Sequence, residues 1–219
     1  MAKIGIMGGT FDPIHNGHLL LGRQAYEEYG LDFVWFMPSG QPPHKKDRHV
    51  SRMEDRCAMV KLAIEGQKGF VFSDFEVSRE GNTYTAQTMK LLKEAYPQHE
   101  FSYIIGADSL YEMESWYHPA EVLASVPILV ASREYDKEHP VMKKQIDYLI
   151  DRYGARIQIL HCREINISSE EIRQAVGKGL FADDCVPKGV GQYIRSHCLY
   201  REPDTLQKCK GKNRNITIG

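Results

Sequence analysis

An apolar run, Ile4-Gly5-Ile6, leads into Met7-Gly8-Gly9-Thr10-Phe11-Asp12-Pro13-Ile14-His15-Asn16-Gly17-His18, and this segment constrains the fold more than any other. A short buried strand breaks at paired glycines, turns at Asp12-Pro13 and restarts as a helix. The stretch Leu19–Tyr29 continues that helix, with Leu21, Ala25 and Tyr29 recurring on one face. Glycines let backbone N–H groups come close to a ligand, and a helix start adds N–H donors and a positive dipole end. His15 and His18 are three positions apart, so they share a face and look toward that mouth. Gly8-Gly9 alone is an ordinary turn and a lone histidine an ordinary residue. Together, at a first βα turn, they form a site for a polyphosphate. The segment matches neither the Gly-x-x-x-x-Gly-Lys-Ser/Thr loop nor the Gly-x-Gly-x-x-Gly loop.

Strand-like and helix-like segments alternate along the rest of the chain. Strands are expected at Lys3–Met7, Phe33–Met37, Phe70–Phe72, Phe101–Ile105, Ile128–Ala131 and Arg156–Leu160. Helices are expected from a Ser51-Arg52-Met53-Glu54 capping box toward Ile64, over Thr85–Tyr96 up to Pro97, and over Lys143–Tyr153. The pattern predicts an α/β fold: a Rossmann-like parallel sheet with helices on both faces, in a single domain over residues 1–202. Ligands of such sheets sit beyond the carboxyl ends of the strands. Residues 203–219 lose apolar periodicity and become polar, which predicts a poorly ordered tail.

Composition excludes several classes of function. A formal net charge of −1 points to neither nucleic acid nor membrane as partner. No run approaches 18 apolar residues, and the chain begins on a strand instead of a signal peptide. Five scattered cysteines without a Cys-x-x-Cys argue for reduced thiols in a cytoplasmic protein, and against a disulfide framework or a zinc site. No heptad pattern or exposed apolar stripe settles whether the chain forms a homo-oligomer.

A second anion site is predicted at Ile165-Asn166-Ile167-Ser168-Ser169-Glu170-Glu171-Ile172-Arg173. Ser168 and Glu171 fit a capping box, which marks a helix start. Taken alone this is plain capping, but Arg173 lies just past the first turn. Its guanidinium could fork onto phosphate oxygens while the Ser168 hydroxyl and helix N–H groups hold another.

On the substrate side, Gly106 supplies a turn after the fourth strand and Asp108 can accept hydrogen bonds from a ribose or an amide. Trp116 has polar neighbours, unusual for a core residue, and offers a flat face to an aromatic ring; core packing remains the alternative. Thr85 reads as a helix N-cap. The loop Pro42-Pro43-His44-Lys45-Lys46-Asp47-Arg48-His49 reads, by itself, as a solvated basic loop.

The string Gly-Gly-Thr-Phe-Asp-Pro-Ile-His-Asn-Gly-His resembles the signature of the nucleotidylyltransferase superfamily, and in particular the bacterial nicotinate-mononucleotide adenylyltransferases. Ile167-Ser168-Ser169-Glu170-Glu171-Ile172-Arg173 resembles that superfamily's Ile-Ser-Ser-x-x-Ile-Arg element, which binds ATP phosphates; Glu170 fills a variable slot. The resemblance implies ATP binding by Gly8, Gly9, Thr10, Phe11, His15, His18, Gly106, Asp108, Ser168 and Arg173. It implies catalytic roles for His15, His18 and Arg173. It also implies contacts to nicotinate mononucleotide from His44, Lys45, Thr85, Asp108, Trp116, Tyr117 and Arg133. Trp116 would stack on the pyridine ring, and Thr85 would help hold its carboxylate. Relatives commonly continue Arg-Pro-Gly where this chain has Arg133-Glu134-Tyr135, which alters the shape of that loop.

The implied reaction is adenylyl transfer from ATP to nicotinate mononucleotide. No general base is required, because a phosphate monoester with a second pKa of about 6 is largely ionised at neutral pH. Mg²⁺ is expected to travel with ATP, bound by phosphates and water without a dedicated ligand cluster. Other transferases of the superfamily, with pantetheine phosphate or cytidylyl substrates, share the His-x-Gly-His element but do not call for Trp116 and Thr85. A sensing module that binds ATP without turnover would have no need of His15, His18 and Arg173 together.

Overall fold

The computed structural model describes residues 1–40, 50–132, 140–162, 167–180 and 183–201. Among them six strands form one sheet: β1 (Lys3–Gly9), β2 (Phe33–Pro38), β3 (Phe70–Phe72), β4 (Glu100–Ile105), β5 (Ile128–Ser132) and β6 (Ile157–His161). Their order is β3-β2-β1-β4-β5-β6, and every neighbouring pair is parallel. Each expected strand is present, β3 with the expected bounds and the other five longer or shifted by one or two residues at an end. Among the described residues eight α-helices cover the sheet: α1 (Asn16–Glu28), α2 (Met53–Ile64), α3 (Thr85–Ala95), α4 (Ala107–Glu112), α5 (Pro119–Ser125), α6 (Pro140–Tyr153), α7 (Ser169–Gly177) and α8 (Lys188–Ser196).

Strands buried on both faces must carry apolar side chains in both directions. In β4, Phe101, Tyr103 and Ile105 enter one core layer while Ile104 enters the other; in β5, Ile128 and Val130 oppose Leu129. The first layer is closed by α3, α4, α5 and α6, through residues such as Met89, Leu110, Val122 and Leu149. The second is closed by α1, α2, α7 and α8, through Ala25, Met59, Ile172 and Val190. The sheet is therefore doubly wound, as the strand–helix alternation predicts.

Two helix starts depart from expectation. Arg52 occupies the cap position of α2 without a side-chain bond, and Ser51 forms no capping box. The Ser51 N–H instead donates to the buried Asp12 carboxylate at 3.0 Å, a tertiary partner that outcompetes the local cap. Thr85 is the first residue of α3, with Tyr84 at the cap, so Thr85 is not an N-cap. The Ser168–Glu171 capping box does form at α7.

No helix among the described residues is long and apolar enough to cross a membrane. Cys57, Cys162, Cys185 and Cys198 form no disulfide with one another. The segment 203–219, with Cys209, lies outside the described residues.

The chain leaves β1 toward β2 and leaves β4 toward β5, so β1 and β4 flank the point where the winding reverses. Beyond their carboxyl ends the helices on either side diverge and leave a crevice.

Candidate active site

That crevice is a cleft of about 520 Å³. Gly8, Gly9 and Thr10 line it from the end of β1, Gly106 from the end of β4, and His18 from α1; Thr85, Trp116 and Tyr117 line the other end. A side chain at Gly8 would collide with the Tyr103 hydroxyl, so glycine is needed there for the strand to pass over that ring.

His15 is the cap residue of α1 and His18 lies in its first turn. Their rings are 3.7 Å apart between centroids, tilted by 31°. The His15 N–H donates to His18 Nδ1 at 3.3 Å, which makes Nδ1 an acceptor and leaves Nε2 to carry the ring proton. His18 thus brings a neutral N–H donor to the cleft. His15 does not line the cleft: its side chain is buried beneath His18, and burial lowers its pKa to about 4. A Cβ at Gly17 would stand 3.0 Å from His15 Nδ1, so the glycine gives the His15 ring its space.

Phe11 corrects one expectation. Its side chain is buried in the core at a left-handed φ of 50°, edge-on to His18 at 5.1 Å between centroids. It braces the histidine from behind, and only its main chain is left to meet a ligand.

The start of α7 docks on the same loop. Arg173 Nη1 donates to the Asp12 carbonyl at 2.7 Å, and the Ser169 hydroxyl donates to the Pro13 carbonyl at 2.9 Å. The two helix starts, far apart in the chain, therefore meet around residues 12–18. Ser168 is corrected as well. Its hydroxyl donates to Glu171 Oε2 at 2.9 Å and accepts the Glu171 N–H at 3.2 Å, so it is committed to the cap. The donors α7 offers to an anion are its first-turn N–H groups and the remaining N–H groups of Arg173.

At the far end of the cleft, Trp116 is half-buried and edge-on to Tyr103, with centroids 6.1 Å apart. Tyr117 is 43% exposed and stacks on Tyr84 at 4.2 Å. Both rings keep edges or faces open to a planar ligand. Asp108 sits in the first turn of α4, exposed and outside the cleft lining, where Ser109 takes the lining position. His44, Lys45 and Arg133 lie outside the described residues.

Several lining residues were not foreseen: Ser39, Glu76, Tyr84 and Tyr103. Tyr103 lies inside a strand and carries no motif. Glu76 sits in an irregular segment; burial pushes its carboxyl pKa up, and Thr88 donates a 2.7 Å hydrogen bond to it. Asp12, read from sequence only as half of a turn, holds the loop from below. It accepts from the Ser51 N–H and, at 2.7 Å, from the Tyr200 hydroxyl near the end of the described chain. The Tyr200 hydroxyl is pushed far up in pKa, first by burial and then by the Asp12 charge.

A doubly wound sheet with a glycine-rich loop and a histidine-bearing helix at its switch point defines a nucleotide-binding transferase fold. The cytidylyltransferase-like family model matches residues 6–175. The "Probable nicotinate-nucleotide adenylyltransferase" of Lachnoclostridium phytofermentans is 42% identical over 200 residues, covering 91% of this chain and 100% of its own. The protein of the same name from Carboxydothermus hydrogenoformans is 41% identical over 201 residues, covering 91% and 98%. The chain belongs to the cytidylyltransferase-like family and, within it, to the nicotinate-nucleotide adenylyltransferases. The fold is also that of Plasmodium falciparum nicotinic acid mononucleotide adenylyltransferase complexed with NaAD, at TM-score 0.72 and 20% identity over 91% of this chain and 98% of that one.

Proposed function

We infer that this protein transfers the adenylyl group of ATP to nicotinate mononucleotide, giving nicotinate adenine dinucleotide and pyrophosphate in NAD biosynthesis. The observation that carries the reading is that His18 lines the switch-point cleft while the start of α7 docks, through Arg173 and Ser169, on the loop that precedes His18. The relatives in this family carry the same activity in their names.

The 5′-phosphate of the mononucleotide attacks the α-phosphorus of ATP. One P–O bond forms, the bond to the β-phosphate breaks, and the electron pair leaves on pyrophosphate. The nucleophile is already ionised at neutral pH, with a second pKa of about 6, so catalysis reduces to placing two anions and neutralising the charge that develops. His18 Nε2–H serves the α-phosphate, and its fixed tautomer needs no reorganisation as charge builds. His15 holds that tautomer through its main chain and supports the ring by stacking. Arg173 and the α7 N–H groups take the β- and γ-phosphates. Trp116 and Tyr117 receive the pyridine ring, with Thr85 beside its carboxylate. Magnesium enters as part of the MgATP substrate. Phosphate oxygens and water would hold it, as is usual for a magnesium ion carried on a nucleotide.

A pyrophosphate-release assay with ATP and a panel of acceptors tests this. Nicotinate mononucleotide should support turnover with one pyrophosphate per dinucleotide, and pantetheine phosphate should not. Turnover with pantetheine phosphate alone, or with no acceptor in the panel, would reject the reading.

A further inference from the structure

Arg56 is among the largest fully buried side chains, at 2% exposure, and lies on α2 outside the cleft lining. Every nitrogen of its guanidinium is used. Nη1 donates to the carbonyls of Thr10 and Ser39, each at 2.9 Å; Nη2 donates to Gly40 at 3.2 Å; Nε donates to Ser51 at 3.2 Å. Two of these carbonyls belong to cleft-lining residues on neighbouring strands: Thr10 just past β1 and Ser39 just past β2. Asp12, in the same loop as Thr10, offers its own carbonyl to Arg173.

We propose that Arg56 is a positioning residue for the reaction: its guanidinium clamps the glycine-rich loop to the end of β2 and so sets where the triphosphate lies. This rests on the adenylyl-transfer reading of the cleft. A planar guanidinium with a fixed fork of donors can gather carbonyls from three segments; an ammonium offers one compact centre. A trans peptide points its N–H opposite to its C=O, so drawing the Thr10 and Ser39 carbonyls inward turns the N–H groups of Phe11 and Gly40 away from the clamp. Without the clamp, four part-buried carbonyls lose a charged donor. The loop carrying Gly8 to His18 then relaxes. None of the four carbonyls that Arg56 holds belongs to Thr85, Trp116 or Tyr117.

The test uses the full-length chain, with wild-type turnover of ATP and nicotinate mononucleotide measured first. Folded Arg56→Lys should lose kcat by about 10²-fold, the scale expected for a misplacement of about an ångström. Its affinity for α,β-methylene ATP should fall as well. Unchanged kcat in the folded variant, or a loss of kcat that only matches the unfolded fraction while affinity for the analogue is kept, would overturn the clamp. Should Arg56 variants fail to fold, the ¹⁵Nε–H resonance of Arg56 in the wild-type protein decides. It should exchange slowly with solvent and shift when α,β-methylene ATP binds. A signal that exchanges fast or ignores the analogue would reject the proposal. If the wild type released no pyrophosphate, the functional reading would fall while the analogue experiment still judged the clamp.

Discussion

At the phosphate end of the cleft the working groups rest on a buried His15 and Asp12 and are bound to one another; at the aromatic end Trp116 and Tyr117 stand partly in solvent and touch other rings. His15 sits under His18, Asp12 ties Ser51 and Tyr200 to the loop, and Arg173 closes on the Asp12 carbonyl. Trp116 and Tyr117, by contrast, are held by edge and face contacts to Tyr103 and Tyr84. The contrast follows from what each end must do. Stabilising charge as it develops requires dipoles fixed in advance, whereas a planar ring can complete a stack when it arrives.

Removing a preorganised donor should have the largest effect. His18→Ala is expected to lower kcat by about 10²–10³-fold in a protein that keeps its circular dichroism spectrum; full turnover would show that the phosphate end is not where catalysis happens. Acid should come next. His15 has its pKa lowered to about 4 in the fold against an ordinary 6.5, so the unfolded chain binds the proton first. Its contribution is intact above pH 6.5 and is lost as pH falls toward 4, by about 3 kcal/mol over that window. Denaturant titrations should show this slope in the wild type and not in His15→Asn; equal slopes would mean the ring is not buried neutral.

Smaller effects are expected at the aromatic end and at the cap. Trp116→Ala should raise KM for nicotinate mononucleotide about tenfold, the loss of roughly 1 kcal/mol of ring stacking, and leave KM for ATP alone; an unchanged KM would make Trp116 a packing residue. Ser168→Ala should destabilise the protein by about 1 kcal/mol in thermal unfolding, as loss of a helix cap does. A tenfold drop in ATP affinity without that destabilisation would restore Ser168 to the phosphate site.

Local patterns made most of the fold and the phosphate mouth legible. Apolar β-branched runs marked the strands, and the Ser168-x-x-Glu171 box marked α7, because both signals lie within a few residues of chain. Ser51-x-x-Glu54 carried the same pattern and failed, because the Asp12 carboxylate, 39 residues away, captured the Ser51 N–H. Asp12 and Tyr200 act through partners 39 to 188 positions off, and Arg56 joins Thr10, 46 positions back, to segments nearer in the chain, separations that periodicity and spacing do not encode. Phe11 and Asp108 sat inside motif strings, yet one side chain turns into the core and the other out of the cleft. A motif names the segment that meets the ligand without saying which of its side chains face it.

A crystal structure of the protein with α,β-methylene ATP tests the convergence of the two helix starts most directly. The expected result is one triphosphate with oxygens within about 3 Å of both His18 Nε2 and the Arg173 guanidinium. A nucleotide whose phosphates touch only one of these groups, or neither, would contradict the account.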